Sequence, residues 1–222
     1  MELTGRNLMA WRAARYLKDG ELVNLGIGIP TLVSNFIPED CEVLLESENG
    51  IVGISGIPEP GKEDRDIIDA AGAPASIVTG AAFIDSATSF GLLRGGHVDA
   101  AILGAMQVAE NGDLASWVVP GKSVHGMGGG MDVVVGAKKV IIVMEHCTKT
   151  GAPKLLHSCS YPLTAVRCVD VVITELCVIE FRPEGPTLVE LAPGVTVEEV
   201  LAKTEATLIV PPAEEIGCMT DA

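Results

Sequence analysis

Short Val- and Ile-rich runs, punctuated by Gly and Pro, constrain the fold of this chain most. Residues 76–79, 100–105, 139–144, 171–174 and 177–181 are apolar runs too short for stable helices and read as strands. Leu22-Val23-Asn24-Leu25 and Val43-Leu44-Leu45 read the same way. Helical candidates lie among them. Residues 2–18, with Trp11, Ala14, Tyr16 and Leu17 near helical spacing, predict an amphipathic helix that stops at Asp19-Gly20. Thr31 is expected to start a helix through Phe36. Ser86 is expected to cap a helix that runs to Arg94 and stops at Gly95-Gly96. Thr196 caps residues 197–203, where Glu198 and Glu199 in the first turn and Lys203 in the last suit the helix dipole. Residues 177–190 are expected to form a hairpin through Pro183-Glu184-Gly185-Pro186. Strands alternating with helices predict an α/β fold with a mainly parallel sheet flanked by helices. A length of 222 residues predicts one domain over 1–222.

Composition narrows the function. Fifteen basic and 30 acidic residues give a formal net charge of −15, which argues against nucleic-acid binding. Any phosphate site must then be local, made of backbone amides or a few lysines, or come from a partner chain. No apolar run approaches the ~18 residues of a membrane span, and the amino terminus has no signal pattern, so a cytoplasmic protein is expected. The six cysteines contain no Cys-x-x-Cys pair and are expected to be reduced, mostly core thiols. His125, His146 and His157 lack metal-ligand spacing, and no metal is expected.

The chemistry centres on Glu46-Ser47-Glu48-Asn49-Gly50, where an apolar strand ends in a loop of carboxylates, an amide and a glycine. Ligands of open α/β sheets bind beyond the carboxyl ends of the strands. A carboxylate there serves as base, metal ligand or nucleophile. Glu46 and Glu48 are two apart and point to the same side of an extended segment, a proximity that raises the pKa of one of the pair. Asn49 and nearby amides are expected to keep Glu48 ionised. An acidic solvent-facing loop is the alternative. A second candidate is Lys122 followed by Gly126, Gly128, Gly129 and Gly130, whose backbone suits a phosphate or an oxyanion. A glycine-rich surface turn competes with it. In Asn24-Leu25-Gly26-Ile27-Gly28-Ile29-Pro30-Thr31 a tight turn at Gly26 and Gly28 is preferred to a phosphate site. His97 and Asp99 form a conceivable pair without a nucleophile elbow. Lys154 reads as a solvated turn lysine.

Ser47-Glu48-Asn49-Gly50 resembles the active-site motif of the B subunit of family I CoA-transferases. The resemblance runs from about Leu8 to Thr207. It takes in Arg94-Gly95-Gly96-His97-Val98-Asp99, Pro120-Gly121-Lys122, Gly126-Met127-Gly128-Gly129, Met144-Glu145-His146, Gly151-Ala152-Pro153-Lys154 and Glu190-Leu191-Ala192-Pro193-Gly194. It implies the CoA-transferase or sugar-phosphate-isomerase-like fold and transfer of CoA between short-chain acids, with Glu48 as nucleophile and a glutamyl-CoA thioester in ping-pong kinetics. Acyl-CoA hydrolysis and a non-catalytic binding role are the alternatives. The resemblance further implies the Gly129 amide at the oxyanion. It implies a CoA site around Asn49, Gly50, Gly26, Gly28, Gly126, Gly128 and Lys122. It implies CoA as substrate and transient adduct with no tightly bound cofactor, and an A-subunit partner in a heterotetramer whose active site lies between the two kinds of chain. The chain departs from the family pattern at Ser55, Gly72, Gly130 and His125, where glycine, lysine, alanine and lysine are usual.

Overall fold

A computed structural model describes residues 3–122 and 126–221. Ser123, Val124 and His125, and with them the expectation for His125, lie outside the described residues. In chain order the strands are β1 (Leu22–Leu25), β2 (Leu44–Ser47), β3 (Ile51–Ser55), β4 (Ser76–Phe83), β5 (Ala100–Leu103), β6 (Gln107–Ala109), β7 (Leu114–Ala115), β8 (Val140–Val143), β9 (Leu155–Leu156), β10 (Val171–Ile173), β11 (Cys177–Arg182), β12 (Gly185–Leu191) and β13 (Gly217–Cys218). Ten of them form the main sheet, in the spatial order β13-β12-β11-β10-β8-β5-β1-β2-β3-β4. The central strands β10, β8, β5, β1 and β2 are mutually parallel. Antiparallel pairs border them on both sides, β2–β3–β4 on one and β10–β11–β12 on the other. A small sheet of β7, β6 and β9 follows the end of β5.

The continuous apolar runs exist because the central strands are covered on both faces. Along β8, Ile141 and Val143 enter one core while Val140 and Ile142 enter the other. In β10, Val171 and Ile173 alternate with Val172 in the same way. Each fully buried Val or Ile contributes about 1.5–3 kcal/mol. The first core is closed by α1 (Gly5–Ala14), through Leu8, Met9 and Ala13. On the opposite face, α2 (Ser86–Arg94) and α3 (Gly130–Gly136) pack Leu93 and Val133 over Ala101. The helix α4 (Val197–Ala202) adds Val200 to the second core.

Local structure departs from the sequence expectation in a few places. Glu2 lies outside the described residues; among those described, the helix predicted over 2–18 covers Gly5–Ala14, because its end tightens into i→i−3 bonds at Arg15, Tyr16 and Leu17. The segment from Thr31 is a 3-10 helix, Pro30–Phe36. The cap of α2 is Asp85, not Ser86, since its carboxylate accepts from both the amide and the hydroxyl of Thr88. Thr196 does cap α4, accepting from the Glu199 amide at 3.2 Å. β11 and β12 form the expected hairpin, with Arg182 opposite Gly185. The thiols are free, but Cys177 alone among them is fully buried.

Parallel strands share a direction, so the ends of β1, β2, β5, β8 and β10 make one carboxyl edge of the sheet. The candidate site stands there.

Candidate active site

The register of β2 against β3 pairs Ser47 with Ile51 and leaves residues 48–50 as a three-residue loop. The Gly50 amide closes it by donating to the Ser47 carbonyl at 2.9 Å. Gly50 has φ +119° and receives the Ile84 amide on its own carbonyl at 2.9 Å. A Cβ at Gly50 would run into the Ile84 carbonyl oxygen, so the turn requires glycine. The Ser47 hydroxyl accepts from the Ala70 amide and the Asn49 side-chain amide donates to the Ile68 carbonyl, so the loop before β4 buttresses the turn. Glu48 is thereby held at the tip, half-buried.

Glu46 is 2% exposed. One of its oxygens accepts from the Ser89 hydroxyl at 2.8 Å and the other from Asn24 Nδ2 at 2.7 Å. The same Asn24 nitrogen donates to Glu48 at 3.2 Å. Both carboxylates therefore face one side, as their spacing predicts. Burial pushes the Glu46 carboxyl above the usual carboxylate range. The Asn24 and Ser89 bonds pull it back and the Glu48 charge pushes it further up. The amide on Glu48 is that of Asn24, not Asn49. Asn24 and Ser89 take parts in the site that their sequence context does not assign. The available signal is a polar Asn in the apolar strand Leu22-Val23-Asn24-Leu25.

Gly129 reaches the same place from just before α3. A Cβ there would lie 3.3 Å from Glu48 Cγ and 2.9 Å from the Phe90 ring, so its backbone is packed against the glutamate. Gly126 and Gly128, at φ +96° and +55°, are exposed just before Gly129 in the chain, and Lys122 is exposed as well. Gly26 hugs β5, donating to the Ile102 carbonyl at 2.8 Å. The Gly28 amide donates to the Thr31 hydroxyl at 3.0 Å, which makes the tight turn preferred there. Ser55 ends β3 opposite Ser76, and Gly72 sits in open space.

Other candidates resolve into structural groups. Asp99 pairs with Lys138 at 2.7 Å and accepts from the Leu22 amide, so it anchors β1 and is not paired with His97. His146 is fully buried between the Thr174 and Thr204 hydroxyls, at 3.0 and 2.9 Å. Burial takes its pKa down to about 4. His157 pairs with Glu110 on the surface at 2.8 Å. Lys154 is half-buried, not solvated, and burial lowers its pKa against the opposing pull of Glu145 and Glu175. No group of His, Cys, Asp and Glu suited to a metal ion occurs among the described residues. No helix among them is long and apolar enough to cross a membrane.

A carboxylate at the carboxyl edge of a parallel sheet, steadied by an amide and bordered by glycine backbone, defines a candidate active site on an α/β fold. The family model for coenzyme A transferase matches residues 6–203, and the chain belongs to that family, on its B-subunit side. It is 52% identical over 205 residues to the B subunit of a probable succinyl-CoA:3-ketoacid coenzyme A transferase of Bacillus subtilis, covering 92% of this chain and 95% of that one. It is 48% identical over 204 residues to the beta subunit of an acetate CoA-transferase of Escherichia coli, covering 92% and 93%. An acyl-CoA transferase of Escherichia coli O157:H7 superposes with a TM-score of 0.76 at 23% identity, over 98% of this chain and 44% of that longer one. That likeness is one of fold.

Proposed function

We propose that Glu48 is the nucleophile of a CoA-transferase that moves CoA between a short-chain acyl-CoA and a free carboxylic acid. The observation that carries this is the placement of Glu48 at the carboxyl edge, with Gly129 backbone against its Cγ and Asn24 on its carboxylate. A Glu48 oxygen attacks the thioester carbonyl. The new C–O bond forms as the C–S bond breaks, and the electron pair leaves on the CoA sulfur. The thiolate then attacks the Glu48 carbonyl of the mixed anhydride, releasing the first acid as its carboxylate and leaving a glutamyl-CoA thioester. An incoming acid reverses both steps.

In this reading the Gly129 amide serves the oxyanion, and the absence of a side chain keeps that approach open. Asn49, Gly50, Gly26, Gly28, Gly126, Gly128 and Lys122 border the path of CoA, whose remote binding energy drives the strained first step. CoA is a substrate and a transient adduct, with no resident cofactor. The chain acts as one cytoplasmic domain, and an A subunit completes the site in a hetero-oligomer. The relatives' names favour a 3-oxo acid with acetate or succinate as the acid pair. The test is intact mass and peptide mapping of the assembled enzyme after acetoacetyl-CoA and borohydride, which reduces a glutamyl thioester to an alcohol. The expected result is an acyl-CoA-dependent change at Glu48, and a loss of at least roughly 10³-fold in transfer for Glu48→Gln. Full activity in that variant, or an unmodified Glu48, would sink the assignment.

A further inference from the structure

Asn24 has one carboxamide nitrogen and two carboxylates to serve. Its two hydrogens are divided between Glu46 at 2.7 Å and Glu48 at 3.2 Å. Asn24 and Glu46 are each 2% exposed and Ser89, which holds Glu46 from behind, is fully buried. The groups that face Glu46 are Asn24 from β1, Val52 across the register in β3 and Ser89 from α2, all uncharged. The charge that acts on it is that of Glu48. Two carboxylates therefore share a neutral donor, and neither forms an ion pair among the described residues.

We infer that Glu46 is a positioning residue for the transfer reaction: its charge, held against Glu48 through Asn24, raises the resting Glu48 carboxylate in energy relative to the neutral acyl-glutamyl intermediates. The inference rests on Glu48 as nucleophile. When a Glu48 oxygen bonds to the acyl carbon and the C–S bond breaks, the negative charge of Glu48 departs on sulfur. In the second step it leaves the site on the released carboxylate. The repulsion present in the resting pair is absent from anhydride and thioester alike. Glu46 thus makes Glu48 a more reactive nucleophile and tilts the equilibrium toward the covalent enzyme. Ser89 keeps Glu46 ionised by donating to it, and Asn24 fixes the distance between the two carboxylates.

Two variants in the assembled enzyme test this. Glu46→Gln keeps the shape of the side chain but removes the charge. The first readout is the ratio of glutamyl-CoA thioester to free Glu48 at a fixed ratio of acyl-CoA to free acid, trapped with borohydride and read by mass. The second is the single-turnover rate of thioester formation at fixed pH and fixed acyl-CoA. A charge coupling of about 1.4 kcal/mol corresponds to a tenfold change. In Glu46→Gln the thioester ratio is expected to fall by about tenfold and the single-turnover rate to fall with it. Ser89→Ala, which weakens the hold on ionised Glu46, is expected to move both readouts in the same direction by a smaller factor. A folded Glu46→Gln enzyme with both readouts unchanged would assign Glu46 a packing role and overturn the inference. Should that variant not fold, unchanged readouts in Ser89→Ala overturn it equally. If the unmodified enzyme traps no adduct at Glu48, the nucleophile assignment fails first and takes the inference with it, whereas a Glu48 adduct with unshifted variants removes only the inference.

Discussion

Gly50→Ala tests the link between the turn and the proposed nucleophile. With φ +119°, Gly50 occupies backbone space that is essentially reserved for glycine, which costs an L-residue about 1–3 kcal/mol. The added Cβ also meets the Ile84 carbonyl, a backbone group that cannot rotate away. Relieving that clash strains the bonds from Ile84 to Gly50 and from Gly50 to Ser47, each 2.9 Å long and each worth about 1 kcal/mol. The sum is about 3–5 kcal/mol, or a fall of roughly 10 °C in Tm for a chain of this length. The turn must shift on the scale of an ångström, and Glu48 moves with it. A displacement of that size costs about 10²-fold in rate. The assays are thermal unfolding by circular dichroism, and CoA transfer measured well below the variant's Tm. Gly72→Ala is the comparator, because Gly72 has φ +79° but open space around its Cβ position, so the strain of about 1–2 kcal/mol acts alone. A Gly50→Ala enzyme that melts with Gly72→Ala and keeps full activity would refute the reasoning.

Two further outcomes follow from the packing. Arg12 on α1 makes a bidentate pair with Glu190 on β12, at 2.6 and 2.7 Å, with side chains only 9% and 15% exposed. Arg12→Met strands a largely buried carboxylate and is expected to cost about 3 kcal/mol in urea unfolding, part of which Glu190→Gln restores in the double variant. His146, with its pKa taken down to about 4 by burial, is neutral in the fold, whereas the unfolded chain takes up its proton near 6.5. The unfolded state binds more protons between those values, so stability falls as pH drops from about 6.5 to about 4, by about 3 kcal/mol in all. Unfolding free energies across that range should flatten in His146→Gln, and an unchanged slope would exclude His146 as the source.

The sequence alone was enough for β1, β5, β8 and β10, parts of β2 and β4, the β11–β12 hairpin, the capping Thr196 and the Glu48 loop, because each is written in contiguous residues. Val-Ile alternation between two cores needs only that both faces of β8 and β10 be covered. The Ser47–Gly50 turn carries its own glycine, and the motif string around it marks the family. Contacts between distant segments were not legible. Asp85 displaced Ser86 as the cap because its carboxylate reaches two donors of Thr88, a competition of geometry between adjacent candidates. Asn24 displaced Asn49 as the partner of Glu48 because parallel pairing of β1 with β2 sets Asn24 beside Glu46. Ser89 and Gly129 join them only once α2 and the strand-to-helix approach of α3 have packed over the same edge. Sequence thus singled out the residue proposed to carry the chemistry. The tertiary structure decided which groups steady it, since hydrogen bonds and carboxylate coupling act over a few ångströms and separation along the chain does not reveal them.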